Sequence, residues 1–543
     1  MCQDQMVVCD EVDDLLTLLV IKRDEASVQN FKTGSFMWFQ IFIEALQRMN
    51  DLDTARRDLV SLCKLVYRDN RIELRNIDEF RREYKAGDAI RWYTRPACFY
   101  RLLNRALRFQ TYDAIISFRL LINNISRQLE NEYHKQKTAI ETGGGRSVLI
   151  VYRGQRMGTT EFNEIRSSRG EFVLINSFFS ATTDKTAALV FAGATSTEKE
   201  IPVLIVIKAD MKIEAKAFAD IAHLSVFRDE SEILFMLGCI FCIRNVSQNS
   251  GENYHTIELV LCSESDVPIR LTDTFDYYIK HKLPPQTDMK SLAHSLSQMN
   301  ELKTAEKYLK RAYRETPDNE LQRLEPMTGM GHVADEVGNY KIAHMFYKYV
   351  LKKRQQLLLP NDLLIGVSHV NLGVAYYDLK EFDLALLQYK KALPIFNTGY
   401  PKKHPDFGHD YNNVAVAYAA KIDLSHANEL LKKARDRLRK AGVPEKHPVT
   451  AQILSNIGVI FGKLEDYDEA IRLQQESLEI RQICLPPNHT DTAKSFHNLG
   501  IIYDKKNELD LALYHYQEAL RMMTKCVPQD SRDYKNTQLR WGW

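Results

Sequence analysis

The feature that most limits what this chain can fold into is a repeat in its C-terminal half. The segments "HVNLGVAYYDLKEFDLALLQYKKAL", "DYNNVAVAYAAKIDLSHANELLKKA", "LSNIGVIFGKLEDYDEAIRLQQESL" and "FHNLGIIYDKKNELDLALYHYQEAL" align without gaps. Their asparagines are Asn371, Asn413, Asn456 and Asn498 and their small residues Ala385, Ala427, Ala470 and Ala512, a period of about 42 residues. An earlier unit, "MTGMGHVADEVGNYKIAHMFYKYVL", carries Ala343 in phase and Gly329 in place of the asparagine; a looser one around Ala305 begins the array. Each unit has apolar residues at helical spacing, a polar or acidic turn, and a second helical pattern with alanine where two helices approach closely. Such a hairpin cannot bury its apolar face alone, so residues 285–530 are expected to stack as about six hairpins in an all-α solenoid, with a tail at 531–543.

From about residue 147 to 264 the pattern changes. "SVLIVYRG", "EFVLINSFFSATT", "IPVLIVIKAD", "EILFMLGCIFCIRNV" and "HTIELVLC" are rich in Val, Ile, Phe and Leu between polar or glycine-containing loops, and read as strands of a mainly antiparallel sheet with one short helix at "KTAALVFAGA". Upstream, "FMWFQIFIEALQRM", "TARRDLVSLCKLVYRD", "PACFYRLLNRALRF" and "YDAIISFRLLINNISRQLENEY" have helical periodicity. Residues 1–69 are set apart as a helical region whose role beyond packing is unknown, and 266–284 as a linker. Gly143-Gly144-Gly145 precedes a strand and no Lys-Ser/Thr follows, so it reads as a flexible loop rather than a phosphate cradle.

With 73 basic and 71 acidic residues among 543 the formal charge is +2, which leaves no general field for a nucleic acid or an anionic membrane. The start, "MCQDQMVVCDEVDDLLTLLV", lacks a basic region ahead of its apolar run, and no apolar stretch reaches the roughly 18 residues of a spanning helix, so a cytoplasmic protein is expected. Nine irregularly spaced cysteines fit reduced thiols. Cys239 and Cys242 have CxxC spacing inside an apolar strand without a second pair, so they are read as core residues and no metal is expected.

Three features follow one another on the strands: Arg153 in "VYRGQRM", Ser180 in "SFFSATTD", and Glu230 with Glu232 in "VFRDESEILF". Side chains alternate along a strand, so the two glutamates share a face and Ser231 takes the other. Taken singly, such an arginine reads as a surface cation and the two glutamates as a solvated strand edge; their order and placement together mark a candidate site.

The repeats resemble the tetratricopeptide repeat through Leu372, Gly373, Tyr376, Ala385, Tyr389 and Ala392, and their period is similar to that of kinesin light chains, whose "HPD"-type connection is echoed by His404-Pro405-Asp406 and His447-Pro448. That likeness implies protein or peptide partners on a concave face. The repeat asparagines either hydrogen-bond such a peptide or bridge neighbouring repeats.

Residues 70–265 resemble the R-S-E class of arginine-specific mono-ADP-ribosyltransferases, and "AIRWYTRPACFYRLLNRALR" looks like that family's N-terminal lobe. The resemblance implies an α+β transferase domain, a helical lobe plus mainly antiparallel sheets, with NAD as co-substrate. It assigns NAD anchoring to Arg153, approach of the backbone to the carboxamide to Gly154, the NAD-binding hydroxyl row to Ser180 and Thr182, catalysis to Glu232 with Ser180, and orientation and deprotonation of the acceptor arginine to Glu230. Ala181 and Thr182 depart from the family's Ser-Thr-Ser element, although Thr182 keeps a hydroxyl on the face of Ser180. Phe191 has the spacing of a family aromatic that packs on nicotinamide; packing in the core explains it equally well. The loop "KAFADIAHLSVFRDE" stands where that family recognises its acceptor. The implied activity is transfer of ADP-ribose to a protein arginine with release of nicotinamide and recruitment of partners by the repeats. The alternatives are hydrolysis of NAD by water and an interaction scaffold without turnover.

Overall fold

The structure, a computed structural model, describes residues 28–30, 34–143, 147–193, 200–227, 231–248, 253–263, 266, 272–317, 319–399, 406–526, 534, 535, 537 and 538. They form two compact units, one from the described residues up to 30 and from 49 to 266, the other from residues 34–48 and from 272 onward. Helix α1 (Gly34–Gln47) therefore belongs with the repeats. This corrects the separation of residues 1–69: an all-round apolar helix announces burial without saying against what.

In the first unit, α2 (Leu52–Val66), α3 (Arg71–Glu83), α4 (Ala89–Thr94), α5 (Cys98–Arg108), α6 (Tyr112–Ser117) and α7 (Arg119–Gly143) form the helical lobe. The fully buried Arg119 holds it together, donating to both Asp51 oxygens, to Asp58 and to the Ile116 carbonyl. A buried guanidinium is tolerable only when matched this fully. Gly143 ends α7, and Gly144-Gly145 lie outside the described residues.

The sheet follows: β1 (Val28–Asn30), β2 (Val148–Gly158), β3 (Phe172–Ile175), β4 (Phe179–Thr182), β5 (Glu200–Asp210), β6 (Phe218–Asp220), β7 (Glu232–Phe235), β8 (Cys239–Gln248) and β9 (His255–Cys262), with α8 (Thr159–Ser167) and α9 (Lys185–Ala192) between strands. Their spatial order is β1-β3-β8-β9-β5-β2-β4-β7-β6. The pairing β5–β9 is parallel and the other described pairings are antiparallel. Two apolar runs that read as single strands are each two. "EFVLINSFFSATT" breaks at Asn176-Ser177, so that β3 pairs with β8 while β4 lies between β2 and β7. "EILFMLGCIFCIRNV" turns at Gly238, whose φ of +85° is glycine's own territory, into β7 and β8. Cys239 and Cys242 are buried in β8, and burial pushes the Cys239 thiol up to about 12.

In the second unit α10 (Thr272–His281) lies in the stretch expected to be a linker, where Tyr277 and Tyr278 are buried. Six helix pairs follow: α11 (Met289–Gln298) with α12 (Leu302–Glu315), α13 (Glu320–Glu336) with α14 (Tyr340–Leu357), α15 (Leu363–Asp378) with α16 (Phe382–Gly399), α17 (Asp406–Ala420) with α18 (Leu424–Lys440), α19 (Pro448–Lys463) with α20 (Tyr467–Cys484), and α21 (Thr490–Lys505) with α22 (Leu509–Cys526). The repeated alanines sit where helices touch; Ala343, Ala385, Ala427 and Ala470 are fully buried. Gly373 makes room for a ring, since a Cβ there would come within 2.5 Å of Tyr389.

Buried polar groups join successive pairs. Arg354 donates to the Leu364 carbonyl and Ser368, and Arg481, three repeats on, to the Asp491 carbonyl and Ser495. Asn456 donates to Asn412 at 2.7 Å and Asn498 to Ser455 at 3.3 Å, so these two asparagines bridge neighbouring repeats. α1 joins this unit through Trp38, whose indole donates to the Cys484 carbonyl at 2.9 Å and meets the Tyr278 ring edge-on. Thr287 donates to the Ala45 carbonyl and Arg48 to that of Leu283. Among the described residues no helix is long and apolar enough to cross a membrane.

Candidate functional site: a cleft on three neighbouring strands

Arg153 is on β2, Ser180 on β4 and Glu232 on β7, three neighbours in the sheet. The Ser180 hydroxyl donates to Glu232 Oε1 at 2.7 Å. The Arg153 guanidinium donates to the Ser180 carbonyl at 2.6 Å and to Gln155 at 3.2 Å, and its carbon stands 4.5 Å from the centre of the Phe179 ring. Arg153, Ser180 and Glu232 line a cleft of about 520 Å³ that also takes in Thr94, Arg95, Tyr100, Tyr152, Asp184 and Phe227.

Gly154 lines the cleft for a reason of packing: a Cβ there would fall 1.6 Å from the Ala188 carbonyl oxygen, so only glycine lets α9 lie against β2. Ser180 and Thr182 are half-buried on one face and Ala181 is buried on the other, as the alternation requires. Thr182 accepts from the Asp184 N–H at 3.1 Å, so its hydroxyl shapes the turn into α9. Phe191 is 69% exposed and lines the cleft, which removes the core-packing explanation for it. Glu230 lies outside the described residues.

The helical lobe supplies the facing wall through residues between Thr94 and Arg101. The buried Glu73 accepts from the Cys98 N–H, where a carboxylate answers the exposed donors of α5's first turn, and from Arg101 at 2.5 Å. That fixes the helix bearing Tyr100 and Arg101. Arg95 forks onto Glu79 and lies over the Trp92 ring. Beneath them Tyr93 is fully buried and accepts from Asn104 at 2.8 Å; burial, with neighbouring Tyr100, holds its phenol well above the usual range. In "YTRPACFY", Tyr93, Cys98 and Phe99 pack in the core while Thr94, Arg95, Pro96, Ala97 and Tyr100 line the cleft.

The second unit holds a cleft of about 560 Å³ lined by Lys290, His294, Glu325, His332, Arg354 and Asp491 among others. His294 is bonded to the Tyr278 hydroxyl and His332 to that of Tyr347, and the surrounding protein lowers both imidazoles below their usual value.

The repeats define one class. Tetratricopeptide repeats of kinesin-light-chain type make up the array, and the tetratricopeptide repeat family matches residues 449–525. Among curated proteins, Protein KINESIN LIGHT CHAIN-RELATED 2 of Arabidopsis thaliana is 25% identical over 160 residues, 28% of this chain and 22% of its own length. The match thus spans about a fifth of that relative. Among solved structures, BtubC (BKLC) from P. vanneervenii aligns at 20% identity over 42% of this chain and 91% of its own, with a TM-score of 0.31. Plx2a, an ADP-ribosyltransferase toxin from Paenibacillus larvae, aligns at 15% identity over 40% of this chain and 98% of its own, with a TM-score of 0.25. Superpositions this loose carry no argument about the fold or the activity.

Proposed function

We propose that the first unit transfers the ADP-ribosyl group of NAD to the guanidinium of a protein arginine, releasing nicotinamide. The observation that carries the reading is the 2.7 Å bond between Ser180 and Glu232 beside Arg153, at one cleft on three neighbouring strands. The residues present fit the co-substrate: the cleft's volume is in the usual range for small-molecule sites, Arg153 offers a planar cation to a pyrophosphate, and Phe191 an exposed apolar ring. NAD, when bound, supplies the ADP-ribosyl group and a nicotinamide leaving group. Ser180 fixes the orientation of the Glu232 carboxylate before any charge develops, which makes that carboxylate a preorganised counter-charge for a ribose turning cationic. Arg153, drawn against the Ser180 carbonyl, couples phosphate anchoring to the same strand. Glu230, two residues before Glu232, takes the proton that an acceptor guanidinium must lose to become a nucleophile.

The tetratricopeptide repeats are a protein–protein interaction scaffold. In this proposal they hold the acceptor protein near the cleft and raise its effective concentration there. A scaffold without NAD turnover is the competing reading, and the repeats themselves favour it.

The test is transfer of labelled ADP-ribose from NAD to a small guanidino compound, with nicotinamide followed in parallel. Glu232→Gln is expected to lower both by about 100-fold or more, and Glu230→Gln to keep release while losing transfer. A native chain that neither binds NAD nor releases nicotinamide overturns the proposal and leaves the scaffold.

A further inference from the structure

The connection between β6 and β7 forms one wall of the cleft through Phe227 and Ser231. Among the described residues β6 is an edge strand, paired with β7 alone, and the long helix α7 covers it. Gln136 on that helix donates to the Asp220 carbonyl at 2.9 Å and accepts from the Asp220 N–H at 3.0 Å. A carboxamide presents one donor and one acceptor in a plane, the pair a further strand would offer to an open edge. At Asp220, Gln136 thus stands in for a tenth strand. One turn earlier on the same helix face, the buried Glu132 lies 3.3 Å from His223 and 2.7 Å from Lys135. From α4, the Thr94 hydroxyl accepts from the Val226 N–H at 3.1 Å.

The tethers fall at residues 220, 223 and 226, three residues apart from the end of β6 into the connection. Bonds inside it stiffen the rest: Ala222 N–H to the Asp220 carboxylate, Phe227 N–H to the Ser225 hydroxyl, and Leu224 and Ser225 N–H to the Ile221 carbonyl. The Ile221 N–H donates to the Glu232 carbonyl at 2.9 Å, so the tethered segment is locked to the residue bearing the proposed catalytic carboxylate.

We infer that Gln136 and Glu132, with Thr94, are positioning residues for the acceptor: they hold residues 220–227 against the helical lobe, and so set where an incoming guanidinium meets Glu232. This rests on the transferase reading. In transfer a bond from the acceptor nitrogen to the ribose carbon forms, the bond to nicotinamide breaks, and the acceptor's proton leaves to a carboxylate; in hydrolysis water takes the nitrogen's place. Gln136 and Glu132 are outside the cleft lining. Releasing the connection therefore leaves cleavage with water in place and spoils the alignment of the larger nucleophile.

The experiment uses the full chain and its Gln136→Ala, Gln136→Glu and Glu132→Gln variants. It measures amide hydrogen exchange, nicotinamide release in water, and transfer to an arginine-containing peptide. In Gln136→Ala, exchange at residues 220–226 is expected to rise while the β2–β5 amides are unchanged. Nicotinamide release should stay within about twofold and transfer fall about tenfold, chiefly through KM, since small misplacements cost rate steeply. Gln136→Glu keeps the acceptor for the Asp220 N–H and opposes its carbonyl, so it should fall between. Exchange unaltered in all three variants overturns the tether, and faster exchange with unaltered transfer overturns its role. A native chain without NAD turnover overturns the transferase reading and the acceptor role with it, a failure distinct from the other two because exchange still reports the tether. Should Gln136→Ala not fold, the two conservative variants decide.

Discussion

At the scale of single residues, two backbone positions carry sharp expectations. The turns between paired helices repeat a residue with positive φ: Asn300, Gly338, Lys380, Ile422, Glu465 and Asn507. Asparagine tolerates that conformation and glycine prefers it, but Ile422, at φ +65°, is β-branched and 78% exposed, so little burial offsets the strain. Ile422→Gly is expected to raise stability by about 1 kcal/mol, read as a higher midpoint in urea with the same slope. Gly154 is the reverse case. Gly154→Ala drives a methyl into the Ala188 carbonyl, and α9 must lift off β2. Overpacking costs about 1–3 kcal/mol where neighbours yield; a backbone oxygen yields less, so the loss should reach the top of that range in thermal unfolding and displace Phe191 from the cleft. Neither expectation was legible in the sequence. Arg153, Ser180 and Glu232 could be picked out by residue type and order, whereas the reason for Gly154 depends on which helix lies over it.

At the scale of elements, the repeats were legible and their connections only partly so. A period of about 42 with alanine in phase is local information, and six helix pairs follow from it. The strands were less legible, because β3 and β4 form one apolar run that pairing with β8 on one side and with β2 and β7 on the other divides. The histidine of the connecting element has a role that spacing alone did not disclose. His447 accepts from the Val449 N–H and His489 from the Asp491 N–H, each through Nδ1 as a helix N-cap. An Nδ1 that accepts cannot carry a proton. Burial, the largest influence, also lowers the His489 imidazole below its usual value. The unfolded chain then binds more protons than the folded one below the ordinary histidine value, so stability is full above about pH 6.5 and falls as the pH drops through the range beneath. His489→Asn keeps a cap and removes the titration. Its unfolding midpoint should change less than the native chain's between pH 7 and 5, and an equal change in both would refute the assignment.

At the scale of the whole molecule, the two units are interleaved along the chain, because α1 belongs to the repeats while the segments before and after it belong to the sheet and the helical lobe. A cut at residue 284, the natural one from the sequence, therefore removes α1 from its partners rather than dividing two independent domains. Trp38 is the clearest measure: it is almost fully buried, bonded to the Cys484 carbonyl and packed edge-on against Tyr278. Trp38→Ala should cost about 3–5 kcal/mol, and denaturant unfolding should show the loss in the transition of the repeats. A fragment of residues 270–543 alone is expected to melt lower than the same fragment mixed with a synthetic peptide of residues 32–48. If the peptide leaves the midpoint unmoved, α1 is dispensable to the repeats. If it raises the midpoint in proportion to the logarithm of its concentration, as binding to the folded state alone requires, then α1 is an integral part of the solenoid, and residues 32–48 must accompany the repeats whenever their partner binding is measured apart from the transferase.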